Sequence, residues 1–258
     1  MKRLLLSFFA LFLCGVVTVL ADDNVRAAQT RLKEGGFYFN EPTGSYDSET
    51  AAAVSRYQIR NGLQITGQLD AATSKSLGIS AAPAGAATPR GDSESWRRMR
   101  KTDPQFLSRM NAATPSTAKP PLAPAPAGSE YQTFTLSRER LRDWVGAFVL
   151  AGLDPQVGAE LEFFADRVDY YEHGVVDREM VRRDLRAYSE RWPERRFWLA
   201  GEVNVEPQAD SRLRVTFPLR FEVANSAKRA SGKVLKTLLL EVTADDLQIV
   251  SVKERRER

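Results

Sequence analysis

The chain has 258 residues, of which 43% are apolar, 27% charged and 9% aromatic, enough for one large domain or two small ones. That balance excludes a chain disordered throughout, a collagen-like repeat and a multi-span membrane protein. A single cysteine, Cys14, excludes a disulfide framework and a cysteine-based zinc site, and a single histidine, His173, excludes any site needing two imidazoles.

In chain order, Lys2 and Arg3 precede an apolar run over residues 4–20, and Ala21 stands before Asp22 and Asp23. This pattern is that of a secretory signal peptide cleaved after Ala21, with an uncleaved membrane anchor as the alternative. The expectation is export to the periplasm or cell envelope, with residues 1–21 outside the fold.

Residues 22–79 predict three short helices. Asn24 can cap the first, which carries Val25, Ala28 and Leu32 and ends at Gly35 and Gly36. Asp47 or Ser48 starts the second, through Ala51, Val54, Tyr57 and Gln58, and Asp70 starts the third, stopped by Gly78. Gly44 and Gly67 allow tight turns between helices, and Leu32, Val54, Tyr57 and Leu77 are the inward positions. This series resembles the three-helix peptidoglycan-binding domain. The matching stretches are residues 25–32, Gly44 through Asp47, Thr50, Ala53, Val54, Tyr57, Gln58, Gly62, Leu63, Gly67, and Asp70 with Thr73 and Leu77. The resemblance implies peptidoglycan as a partner. Most of the motif serves the fold. The expected exposed groups around the first loop and second helix are Tyr38, Ser45, Tyr46, Thr50, Arg56 and Gln58, which can stack on sugar faces and bond amides and carboxylates. Tyr46 reads equally well as a core aromatic.

Residues 80–128 form the next unit, a flexible linker rich in Ala, Pro, Ser and Thr that lacks the apolar surface to fold. Within it, residues 96–101, Trp-Arg-Arg-Met-Arg-Lys, read as a solvated segment with a transient helical turn or as a contact for anionic wall polymer or a membrane surface.

Residues 129–258 predict an α+β domain. Ser137 opens a helix carrying Leu141, Trp144, Val145 and Phe148, and Asp154 with Pro155 opens a second through Val157, Leu161 and Phe164. A short strand over 167–171 and a helix capped by Asp177 follow. Four strands then run over 196–205, 212–223, 234–243 and 247–253. In the second of these, six apolar residues alternate strictly with Arg212, Arg214, Thr216, Pro218, Arg220 and Glu222. The order of elements, with residues 163–171, 184–193 and 247–252, resembles the SnoaL-like, nuclear-transport-factor-like cone fold, in which a curved, mostly antiparallel sheet packed on helices leaves a cavity. The fold class is therefore multidomain: a small all-α domain, a disordered linker and an α+β cone.

Some members of that fold carry an Asp–His or Asp–Tyr proton-transfer pair in the cavity. His173 reads as an exposed turn residue, and Trp192, Phe197 and Trp198 as core. The cavity candidates are Asp166, Asp169, Tyr171 and Asp184, with surface pairing as the default for the first two. No nucleophile motif, phosphate loop, metal cluster or cofactor signature is present, so no enzyme and no cofactor are expected. Three functions remain open. The favoured one is a non-catalytic envelope protein that binds peptidoglycan and presents the cone to a protein partner or small ligand, or pairs it as a homodimer through its sheet. The others are an envelope enzyme working in the cone cavity and a structural wall spacer. The mild net charge of +4 gives no reason to expect nucleic acid.

Overall fold

The computed structural model describes residues 22–79, 93–101, 138–154, 156, 158–243 and 246–257. The expected signal segment, most of the expected linker, and Pro155 and Val157 of the expected second helix of the α+β region lie outside them.

The N-terminal region is helical, with α1 at Asp23–Glu34, α2 at Ser48–Arg60 and α3 at Ala71–Leu77. Each helix starts on an aspartate whose carboxylate takes backbone N–H groups of the first turn: Asp22 for α1, Asp47 for α2 and Asp70 for α3. Asp22, rather than the expected Asn24, caps α1 because its side chain reaches Asn24 N at 2.8 Å. Gly78 ends α3 with a φ of 68°, a left-handed conformation that a side chain would strain. Ala28, Leu32, Tyr38, Ala53, Val54, Leu69 and Leu77 make a small core of their own.

Helix α2 has a second apolar face. Ala52 and Ile59, with Ile65 from the following loop, belong to the large core of the C-terminal domain instead. This explains why Thr50 through Arg56 are all buried: one side of α2 serves each core.

The basic segment expected to be solvated forms helix α4, Ser93–Lys101. Its apolar face is Trp96 and Met99, each 1% exposed, and both lie in the large core. Arg97 and Arg100 flank that face, Arg97 pairing with Glu162 and Arg100 with Glu162 and Asp246. A charged face beside an apolar stripe makes a docked amphipathic helix.

In the C-terminal domain, α5 spans Arg138–Ala151 and is followed by a 3-10 turn, Ala159–Phe163. Phe164, expected in a second helix, instead opens strand β1, Phe164–Tyr170. Strand β2, Val175–Asp177, pairs back on β1, and Asp177 caps α6, Arg178–Arg191. The expected strand over 196–205 is two strands, β3 at Glu194–Leu199 and β4 at Asn204–Gln208, both antiparallel to β5, Arg212–Ala224. β6, Arg229–Val242, and β7, Leu247–Arg256, complete a sheet in the order β2-β1-β7-β6-β5-β3, with β4 also on β5. Only β1 and β7 pair in parallel among these strands. The alternation read in β5 holds: Val215, Phe217, Leu219 and Val223 are buried. Inward residues of β1, β5, β6 and β7 cover α5 and α6, giving a mixed sheet packed on helices.

Candidate functional site

Two regions bear on function: the surface of the helical trio and a cavity inside the α+β domain.

The six residues expected to line an exposed groove do not do so together. Gln58 is fully buried and organises the loop before α3: its Nε2 donates to Thr66 Oγ1, Gln68 O and Thr73 Oγ1, while its Oε1 accepts from the N–H groups of Thr66 and Gly67. Thr50 is buried, gives its hydroxyl to Asp47 at 2.7 Å and accepts from Gln29 Nε2 at 2.9 Å. Tyr38 is 1% exposed. Arg56 is also buried, with its Nε 3.4 Å from Asp143 on α5. Polar residues that close turns and bridge domains share the residue types of a ligand site, and sequence pattern alone does not separate the two. Ser45 is exposed and Tyr46 half-buried, its hydroxyl donating to Gly67 O at 2.7 Å.

The contact between the two regions is built from charge and close approach. Arg60 pairs with Asp143 at 2.9 Å and with Glu139. Burial pushes the Asp143 carboxyl up, while Arg60 and Arg56 pull it down. Ile65 N donates to Phe197 O at 3.0 Å across the boundary. At Gly146 on α5 an added Cβ would stand 2.1 Å from Ile59 Cδ1, so glycine lets α2 approach. Helix α4 binds the same unit: Trp96 Nε1 donates to Asp154 at 2.8 Å, and its ring lies 5.6 Å from Phe163.

The cavity has a volume of about 450 Å³ between the sheet, α5 and α6. Its apolar wall includes Phe148, Phe164, Trp192, Phe197, Leu219 and Phe221. Trp192 and Phe197, expected as core, therefore face the cavity; Trp198 lies beyond it, 4.2 Å under the Arg220 guanidinium. Of the cavity candidates, Tyr171 and Asp184 are lining residues. Asp166 is not: its side chain is 94% exposed and pairs with Arg178 at 3.7 Å. Asp169 is not either, since it holds Lys253 at 2.8 Å and Ser251 at 3.2 Å, and Lys253 keeps its carboxyl below the usual range. His173 is exposed, as its turn position implied.

The polar groups inside form three sets. Tyr170 gives its hydroxyl proton to Asp184 at 2.7 Å, and burial, helped by Tyr171 and Asp184, holds that phenol protonated far above its ordinary range. Lys236 donates to the Tyr171 hydroxyl at 2.9 Å and pairs with Glu254 at 2.9 Å. Burial opposes the Lys236 charge, but Tyr171 and Glu254 more than restore it. Tyr171 itself has a φ of 47° at the end of β1, a strained setting of the kind found where a side chain must be aimed. The third set is Glu160, 7% exposed and pushed up by burial, and Arg195, whose Nη1 donates to Ser189 Oγ at 2.6 Å.

Glu160, Tyr170, Arg195 and Lys236 were not singled out from the sequence. Two of them left a signal. Arg195 alternates with Phe197 and Leu199, and Lys236 stands between Val234 and Leu238, so each charge sits on the dry face of its strand.

Residues 21–77 match the family model described as "Putative peptidoglycan binding domain". No curated protein matches the chain. Solved structures similar to the C-terminal part include a nuclear transport factor 2 (NTF2-like) superfamily protein from Salmonella enterica, at 8% identity, covering 38% of this chain and 74% of that one with a TM-score of 0.33. Another is a "Putative calcium/calmodulin dependent protein kinase II association domain" from Xanthomonas campestris, at 10% identity, 47% and 89% coverage and a TM-score of 0.41.

Proposed function

We propose that the chain is an exported cell-envelope protein that holds peptidoglycan through residues 22–79 and carries, rigidly attached, a domain that binds a small ligand in its cavity. The match of residues 21–77 to a peptidoglycan-binding family carries the wall-binding half of this reading. The cavity, with its aromatic wall and few convergent polar groups, supports the other half. Because the helical trio is pinned to α5 by Arg56, Arg60 and Ile59, wall attachment fixes the location of the cavity as well. Tethering of this kind raises the effective concentration of whatever the cavity meets in the wall.

The full chain without residues 1–21, mixed with purified sacculi at low salt, is expected to sediment with them and to be released by soluble muropeptides. Failure to sediment overturns wall binding and leaves the cavity reading standing.

One observation favours a second reading, an envelope enzyme. The Tyr170–Asp184 hydrogen bond faces a cavity that also holds the buried carboxyl of Glu160, and such pairs can move a proton between a ligand and the protein. Turnover of a small metabolite that Asp184→Asn abolishes, in a variant of unchanged stability, would select this reading over simple binding.

A further inference from the structure

Arg195 stands on β3 opposite Val223 of β5, on the inward face, with Phe197 two residues on. One of its amino groups is taken by Ser189 Oγ on α6. Its Nε is buried and has no hydrogen-bond partner among the described residues. Nor does any carboxylate among them lie within salt-bridge distance of the guanidinium. Glu160, the carboxyl whose charge it feels, does not close that gap and is itself disfavoured as an anion by burial. The other cavity carboxylates are engaged: Glu254 by Lys236 and Asp184 by Tyr170.

A buried donor left unsatisfied costs about 1–3 kcal/mol, more where the group is charged. A guanidinium also suits a carboxylate in particular, through directed, charge-assisted hydrogen bonds. Phe197 and Phe221 pair two residues along from Arg195 and Val223 on the same sheet face, and both line the cavity with Trp192, a wall suited to an apolar body that lies against rings.

We infer that the cavity binds a small carboxylate, anchored by Arg195, with its apolar body against Trp192, Phe197 and Phe221. The inference rests on the ligand-binding reading of the cavity and not on wall binding. The same carboxylate chemistry is offered by a free aromatic acid and by the C-terminal carboxylate of a wall peptide.

The test is calorimetric titration of the full chain without residues 1–21 with four probes: benzoate, benzamide, an acetylated dipeptide acid and its amide. At least one acid is expected to bind ten-fold or more tightly than its own amide, and which acid wins identifies the source. Arg195→Gln is expected to erase that preference, and Arg195→Lys to keep part of it. Amides that bind as well as the acids would overturn the carboxylate assignment while leaving a ligand cavity. No binding by any probe would overturn both, and an acid preference surviving Arg195→Gln would overturn the role of Arg195. Should Arg195→Gln fail to fold, the acid–amide comparison on the unaltered chain decides. Sacculus sedimentation, read on the same material, tests wall binding independently.

Discussion

At the scale of single residues, the cavity holds a glutamate that ought to report on its surroundings through pH. Burial raises Glu160 above its unfolded value, so the folded state holds the proton more tightly than the unfolded chain. Its contribution is therefore fully present below the ordinary glutamate range and is lost as pH rises through the folded-state pKa. Glu160→Gln keeps the shape and removes the titration. In urea unfolding, the stability of this variant relative to the parent is expected to increase as pH rises above the ordinary glutamate range and to level off once the folded-state pKa is passed. Two curves that run parallel would place Glu160 in water. Legibility at this scale was mixed. Asp47 and Asp70 were readable as caps because a cap is a local bond between a side chain and the next turn; at α1 the expected cap was Asn24, and Asp22 takes that place. Gln58 and Thr50 were not readable as buried, because amide and hydroxyl groups look the same in sequence whether they bond a loop or a ligand.

At the scale of elements, helix α4 shows how a segment can be misread. Its neighbours in the chain are Ala, Pro and Ser, and four of its last five residues are basic, so composition argues for solvent. What the composition conceals is a two-residue apolar stripe, Trp96 and Met99 at a spacing of three. The partners that make this stripe a docked face, Asp154, Phe163 and Glu162, come about 60 residues later, beyond any local window. The split of β3 from β4 was hidden as well, because only pairing with the later strand β5 defines it. Trp96→Ala removes a large side chain from the core and leaves Asp154 without its indole donor. The loss is expected to be about 3–5 kcal/mol, read by urea unfolding, with faster protease cleavage of residues 93–101. A variant as stable and as resistant as the parent would make α4 a surface ornament.

At the scale of the whole molecule, the sequence divides into a helical trio and an α+β domain, and the structure joins them through one shared core. Both fold classes were legible because each rests on its own periodicity: helical spacing with caps in the trio, strict alternation in β5. Their contact was not, since Ile59, Ile65 and Gly146 carry no mark of a boundary until both surfaces exist. The shared core has a thermodynamic consequence. A trio of this size has little apolar surface of its own, and part of it is spent on the neighbouring domain. The two should therefore unfold together, giving one calorimetric transition whose measured enthalpy equals the van't Hoff value. Gly146→Val forces branched carbons into the space of the Ile59 side chain and should split that transition or lower its midpoint. Adding Ile59→Ala vacates the space and should restore part of the loss, a coupling that two independent domains would not display. Two separate transitions in the unaltered chain, or strictly additive effects of the pair, would mean that the trio is attached by its chain alone and that the wall does not fix the cavity.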